Sequence, residues 1–247
     1  MFIQQLWKLN INWDDPLPPS LAQQWNRFDE DLRGVSEYSI PRWLGTSTST
    51  QGFEFHGFSD ASQDALGAVL YIRTIQTFAD AKVTLLVAKS KVAPLKKQTI
   101  PRLELAAAVL LSRLLARVRD ILGLQHVPAH LWIDSSVSLA WIRGHPSQWQ
   151  EFVANRVAVI QELVPDARWH HVAGSENPAD CVSRGLSPSL LQTHSLWWRS
   201  SLASRSFRGV AIHHSSNRRR YQPRKKATSS SSRNCGKQAI FMLMESH

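Results

Sequence analysis

Cysteine is scarce in these 247 residues: Cys181 and Cys235 stand far apart. Two distant thiols make neither a disulfide framework nor a thiolate zinc site, so a reducing compartment is expected. Long apolar runs are missing as well. The longest, Leu103–Leu115, has Glu104 near its start and Arg113 inside it, which is too short and too charged for a membrane span. The first residues, Met1 to Lys8, lack the basic segment and apolar core of a secretory signal. The expectation is an intracellular protein, cytoplasmic or nuclear, with no membrane association. Acidic residues are nearly absent from one end: between Arg199 and His247 there are 11 basic residues and only Glu245. That end holds the whole net charge of +10, leaving 18 basic and 18 acidic groups in residues 1–198. The overall basicity therefore says nothing about the globular part, where nucleic-acid binding needs local evidence.

What is present is enough for one globular domain: 43% apolar residues, ten of them Trp. Residues 1–50 read as a connector. It contains Trp13-Asp14-Asp15-Pro16-Leu17-Pro18-Pro19-Ser20, with Ser20 placed to cap a short helix ending near Phe28 to Leu32. The polar run Gly45-Thr46-Ser47-Thr48-Ser49-Thr50-Gln51-Gly52 cannot bury apolar area and marks a boundary. Residues 51–198 form the patterned domain. Its first three segments, 53–60, 65–73 and 82–89, are rich in β-branched and aromatic residues and predict an antiparallel meander. A long helix follows from Pro101 to about Leu122, with proline in its first turn and Gly123 past its end. The rest reads as a strand at 129–134, helices at 136–142 and 148–164, a strand at 168–173, and a helix begun by Asn177-Pro178. The order β-β-β-α-β-α-α-β-α is an α/β mixture. Residues 199–247 lose all periodicity and are expected to be a basic, disordered tail.

Four carboxylates sit where packing alone would not put them. Asp60 ends the first strand and Asp134 ends an apolar one. On a helix, Glu104 has Ala107, Ala108, Leu111 and Leu115 as same-face neighbours, and an ionised carboxylate on that buried stripe is expensive without a cation. Asp180 opens the last helix, where the helix dipole favours negative charge. Singly, Asp60 and Asp134 also read as caps, Asp180 as a dipole partner and Glu104 as an exposed first-turn acid. Jointly they predict one acidic cluster whose repulsion divalent cations relieve. Hard oxygen donors favour Mg²⁺ or Mn²⁺, and two such ions suit in-line phosphodiester hydrolysis.

The local motifs Ser59-Asp60-Ala61-Ser62, Arg102-Leu103-Glu104-Leu105-Ala106-Ala107, Ile133-Asp134-Ser135 and Asn177-Pro178-Ala179-Asp180-Cys181-Val182-Ser183-Arg184-Gly185, in that order, resemble the retroelement ribonuclease H family. The version in polyproteins of BEL/Pao long-terminal-repeat retrotransposons, also labelled Pao retrotransposon peptidase, is the most similar. Trp13-Asp14-Asp15-Pro16 and Ile40-Pro41-Arg42-Trp43 resemble the segment that follows reverse transcriptase in such elements. The resemblance implies a ribonuclease H-like central mixed five-stranded sheet with flanking helices and cleavage of the RNA strand of RNA/DNA hybrids. It also implies two Mg²⁺ or Mn²⁺ ions held by Asp60, Glu104, Asp134 and Asp180, with Asp60 touching both. A reverse-transcriptase domain is the implied partner, and the chain reads as a fragment of such a polyprotein. One departure concerns histidine. The family often carries one in a mobile loop before the last acid, whereas His170 and His171 here fall in a strand, at least one facing the packing.

Lys89, Lys91, Lys96, Lys97 and Arg102 line the approach to Glu104 with no acid among them, a candidate grip on backbone phosphates that reads equally as a solvated loop. Trp132, Trp141, Trp149 and Trp169 read as packing residues, and Ser135 and Ser136 as caps rather than nucleophiles. An aspartic peptidase is a weaker alternative, because neither Asp60-Ala61-Ser62 nor Asp134-Ser135-Ser136 has the glycine of an Asp-Thr-Gly turn. A catalytically degenerate nucleic-acid-binding remnant is the other. An integrase-like nuclease would order its acids Asp, Asp, Glu, and here the glutamate comes second.

Overall fold

In the computed structural model, the described residues are 2–9, 11–12, 14–37, 43–77 and 81–198. Trp13, the stretch Ile40-Pro41-Arg42 and the basic tail from Arg199 onward lie outside them. Contacts divide the chain into Met1–Arg205 and Ser206–His247, and all described residues belong to the first unit.

The β-branched and aromatic segments form the expected meander: β1 (Thr50–Ala61), β2 (Ala65–Gln76) and β3 (Lys82–Val92), paired antiparallel in succession. The chain then crosses through α3 (Ile100–Leu122) to β4 (Ala129–Ile133), which lies parallel to β1, as a parallel neighbour requires. Beyond it come α4 (Ser136–Arg143), α5 (Glu151–Leu163) and β5 (Arg168–His171), the last parallel to β4. The sheet order is β3-β2-β1-β4-β5. This is the mixed five-stranded sheet with flanking helices that the sequence pattern and the resemblance imply.

Apolar periodicity explains the layers. α3 buries Leu105, Ala108, Leu111 and Leu115 against Phe55, Leu70 and Ile72 of the sheet, with Val153, Val157 and Ile160 of α5 closing the same core. Gly123, at φ 66°, ends α3 in the left-handed conformation that an L side chain resists. Phe58, Val69, Tyr71 and Trp132 form a second core on other sheet positions. It is covered by α6 (Asp180–Ser183) and by the segment carrying α7 (Pro188–Thr193) and α8 (Ser195–Trp198). Tyr71 Oη donates to Trp197 O at 2.7 Å, fastening that segment down. Gly67 of β2 is where α6 presses closest: a Cβ there would stand 2.8 Å from Ala179 O and 3.0 Å from Ser183 N.

Several boundaries differ from the sequence reading. Residues 2–9, read as part of a connector, form a helix, α1, and Gln4 Nε2 donates to Ala93 O at 3.1 Å. A second helix, α2 (Pro19–Arg33), begins at Pro19, so Ser20 lies inside it and Pro18 takes the cap position without a side-chain bond. Thr74 and Gln76 bond to the carbonyls of Leu44 and Gly45 at 2.7 and 2.8 Å, so the polar run before β1 is tied to the sheet. The helix expected at 148–164 is a 3₁₀ turn at Pro146–Gln148 followed by α5. α6 starts at Asp180 rather than at Asn177-Pro178. Lys89 and Lys91 belong to β3 rather than to a loop. Trp132, Trp141, Trp149 and Trp169 all pack against the two cores as expected. No helix among the described residues is long and apolar enough to cross a membrane.

Candidate metal centre

The parallel pairing of β1 and β4 sets Ser59 opposite Ile133. Asp60 and Asp134, each one residue further along adjacent parallel strands, therefore emerge side by side at the same end of the sheet. α3 lies across β1 and β2, and its first turns bring Glu104 to that end. Ser138 Oγ of α4 donates to Pro101 O at 2.8 Å, which fixes this end of α3 against the element following Asp134. One ligand atom each from Asp60, Glu104 and Asp134 lie within 4.8 Å of one another.

Asp60 is 3% exposed and Glu104 8%, which removes the reading of Glu104 as an exposed helix acid. Burial, opposed by a hydrogen bond from Ser135 and reinforced by the charges of Asp134 and Asp60, pushes the Glu104 carboxyl up to about 7. Burial and the neighbouring Asp60 likewise raise Asp134. Glu104 Oε2 and Asp134 Oδ1 are buried without a hydrogen-bond partner. Two orphaned carboxylate oxygens beside a third buried acid are a donor set that a hard divalent cation satisfies. The residues present fit such an ion.

Asp180 stands apart from that triad. Its carboxylate pairs with Arg184 Nε at 2.6 Å. Burial raises its pKa, Arg184 opposes the shift, and the charge of Asp60 adds to it. It is thus an electrostatic neighbour of the cluster held on its rim.

Three residues read in the sequence only as caps, or not at all, position the acids. Ser183 Oγ of α6 donates to Asp60 Oδ2. Asn177 donates from Nδ2 to Ser59 O at 3.0 Å and accepts from Ala179 N at 3.1 Å, tying the approach to α6 to the strand that carries Asp60. Ser135 caps α4 through Ser138 N, and its side chain works against the upward shift of Glu104. The environment of Ser183, buried on a four-residue helix beside an acid, is a tertiary fact with no sequence period to announce it. His170 packs as expected, stacking on Trp132 at 4.6 Å and meeting His130 at 3.0 Å. His171 turns the other way, its Nε2 at 3.0 Å from Asp134 O.

Of the basic candidates, Lys89 and Lys91 lie on β3, Lys96 and Lys97 in the turn before α3, and Arg102 in its first turn, with its guanidinium 4.9 Å from the Phe152 ring centroid.

The family model described as the Pao retrotransposon-like RNaseH-like domain matches residues 1–135. No curated protein matches the sequence. Solved structures that it resembles include RNase H1 from the archaeon Halobacterium salinarum, at 12% identity and TM-score 0.34, over 53% of this chain and 92% of that one. Another is LC11-RNase H1 in complex with an RNA/DNA hybrid, at 15% identity and TM-score 0.36, over 56% and 99%. A third is the prototype foamy virus protease-reverse transcriptase, at 13% identity and TM-score 0.32, over 68% and 22%. These likenesses are weak, and the fold rests on the strand order and the family match.

Proposed function

Because this chain belongs to the family of Pao retrotransposon-like RNaseH-like domains, we propose that it is a metal-dependent endoribonuclease that cleaves the RNA strand of RNA/DNA hybrids. The observation that carries this reading is the triad of buried Asp60, buried Glu104 and half-buried Asp134, with two carboxylate oxygens lacking partners. Asp180, on the rim, completes the ligand set. Mg²⁺ or Mn²⁺, two ions when substrate is bound, would activate water and stabilise the leaving oxygen of an in-line displacement.

The chain's own residues hold this arrangement. Asp60 is oriented by the Ser183 hydroxyl, and Asn177 fixes the strand end beneath it. A cation held there would require the raised Glu104 carboxyl to be ionised, so metal affinity is expected to rise with pH through neutrality. His171, beside the Asp134 carbonyl, stands where a proton carrier serves product departure. Lys89, Lys91, Lys96, Lys97 and Arg102 present positive charge to the phosphate backbone. A reverse-transcriptase domain is the partner that presents the hybrid, and the setting is intracellular.

Cleavage of a labelled RNA/DNA hybrid by the full chain tests the reading, with Mg²⁺ or Mn²⁺ against EDTA and with Asp134→Asn beside the unaltered protein. Metal-dependent cutting that falls by about 100-fold or more in the variant is the expected result. Equal cutting in EDTA, or an unchanged rate in the variant, would sink it.

A further inference from the structure

The end of α6 bears on the acids in two opposite ways. Ser183 donates to Asp60 Oδ2, whereas Arg184, the next residue, holds Asp180 outside their group. Arg184 Nε lies 2.6 Å from Asp180 Oδ1, and the two side chains are 71% and 36% exposed. Four residues apart, they share one helical face, and the bond from Arg184 N to Asp180 O at 3.1 Å keeps them there. Among the described residues, the carboxylates with atoms within 4.8 Å of one another are Asp60, Glu104 and Asp134, and Asp180 adds none. Its charge is nonetheless felt: Asp60 helps raise Asp180, and Asp180 helps raise Asp134. The backbone of α6 has little freedom to close the gap. Ser62 Oγ donates to Ser183 O at 2.6 Å, and at Gly67 the helix already stands so near β2 that a Cβ would lie 2.8 Å from Ala179 O. Entry of Asp180 into the group is therefore a turn of its side chain on a fixed backbone, and the guanidinium is the contact that this turn breaks.

We propose that Arg184 is a positioning residue that governs the second cation: the three acids take the first ion as folded, and the second is held only when Asp180 leaves the guanidinium for it. An exposed pair four residues apart is weak and yields to a divalent ion at short range. Breaking it still opposes that step, and so does the positive charge left beside the incoming ion. The first of these costs falls on the second ion alone, because the triad needs no rearrangement of Asp180. The two ions are therefore expected to bind unequally, and Arg184 sets how unequally. The inference rests on the four-acid ligand set proposed above, but it needs neither hybrid nor cleavage.

Titration of the full chain with Mn²⁺ in the absence of nucleic acid tests it, with free ion counted by electron paramagnetic resonance and heat followed by calorimetry. The proteins compared are the parent, Arg184→Gln, Asp180→Asn and Glu104→Gln. Arg184 is exposed, so its substitution is expected to leave the fold intact, which circular dichroism checks. Arg184→Gln is expected to tighten the second binding constant by about two- to fivefold and to change the first much less. Asp180→Asn is expected to weaken or abolish the second step and spare the first. Equal tightening of both constants in Arg184→Gln would overturn the proposal, because loss of a nearby charge alone does that. So would a second constant unmoved by Arg184→Gln, a single ion bound by both parent and Arg184→Gln, or loss of the first step rather than the second in Asp180→Asn. A parent that binds no Mn²⁺, like Glu104→Gln, would remove the ligand set itself and this inference with it, an outcome distinct from the others.

Discussion

At the scale of single residues, the metal-free site and a row of histidines pull stability in opposite directions with pH. The Glu104 carboxyl, raised from 4.5 to about 7, favours the folded state when protonated. Its contribution is complete below pH 4.5 and lost as pH rises through 7. His130 does the reverse. Burial first, then the charges of His56 and His170, lower it from 6.5 to about 4, so its contribution is whole above pH 6.5 and lost as pH falls toward 4. Glu104→Gln removes the acid-side gain and keeps the histidine loss. In EDTA the variant is expected to melt roughly 3 °C higher than the unaltered protein at pH 8, and to lose stability more steeply between pH 6.5 and 5. Urea or thermal unfolding at those pH values checks both signs; a variant with the same pH slope as the parent would refute the assignment.

At the scale of elements, the site depends on how closely α6 approaches the sheet. Gly67→Ala places a methyl against Ala179 O and Ser183 N, both backbone atoms that move only with α6. A cost of about 1–3 kcal/mol is expected, together with a cleavage rate lowered more than KM is raised, because Ser183 and Asp180 shift with the helix. Paired denaturation and steady-state kinetics separate these effects. This element also marks where the sequence stopped being readable. The meander and α3 were legible because long periodic segments with glycine and proline punctuation leave one assignment. Asp60 and Glu104 were legible because an acid on an apolar stripe violates the pattern around it. Asn177 read only as a cap, since its bond to Ser59 O spans 118 positions. α1 was hidden in eight residues whose helical state is supported from afar, through Gln4 and Ala93. Arg102 likewise meets the Phe152 ring only because α3 and α5 pack together.

At the scale of the whole molecule, charge and chemistry are segregated along the chain. Residues 1–198 are balanced, while residues 199–247 carry the net +10. Removing residues 199–247 is therefore expected to reduce the salt dependence of hybrid binding by several units of slope while metal-dependent cleavage persists. Binding titrations across a salt series, run beside the cleavage assay, read the two separately. Loss of cutting in a still folded truncated chain would show that the basic segment takes part in the reaction.

β3 is an outer strand of the sheet, eleven residues long, with Lys82, Lys89 and Lys91 along it. An outer strand of that length invites pairing with a second molecule through its unused amides and carbonyls, and lysine is a common deterrent. Lys89 and Lys91 stand where such charges deter edge-to-edge pairing. Replacing both with threonine is expected to leave the chain folded and to increase its self-association on standing, visible as rising light scattering that added salt hastens. The same two charges would then govern colloidal behaviour, and a weak hybrid affinity measured on such a variant would have to be separated from the loss of free monomer.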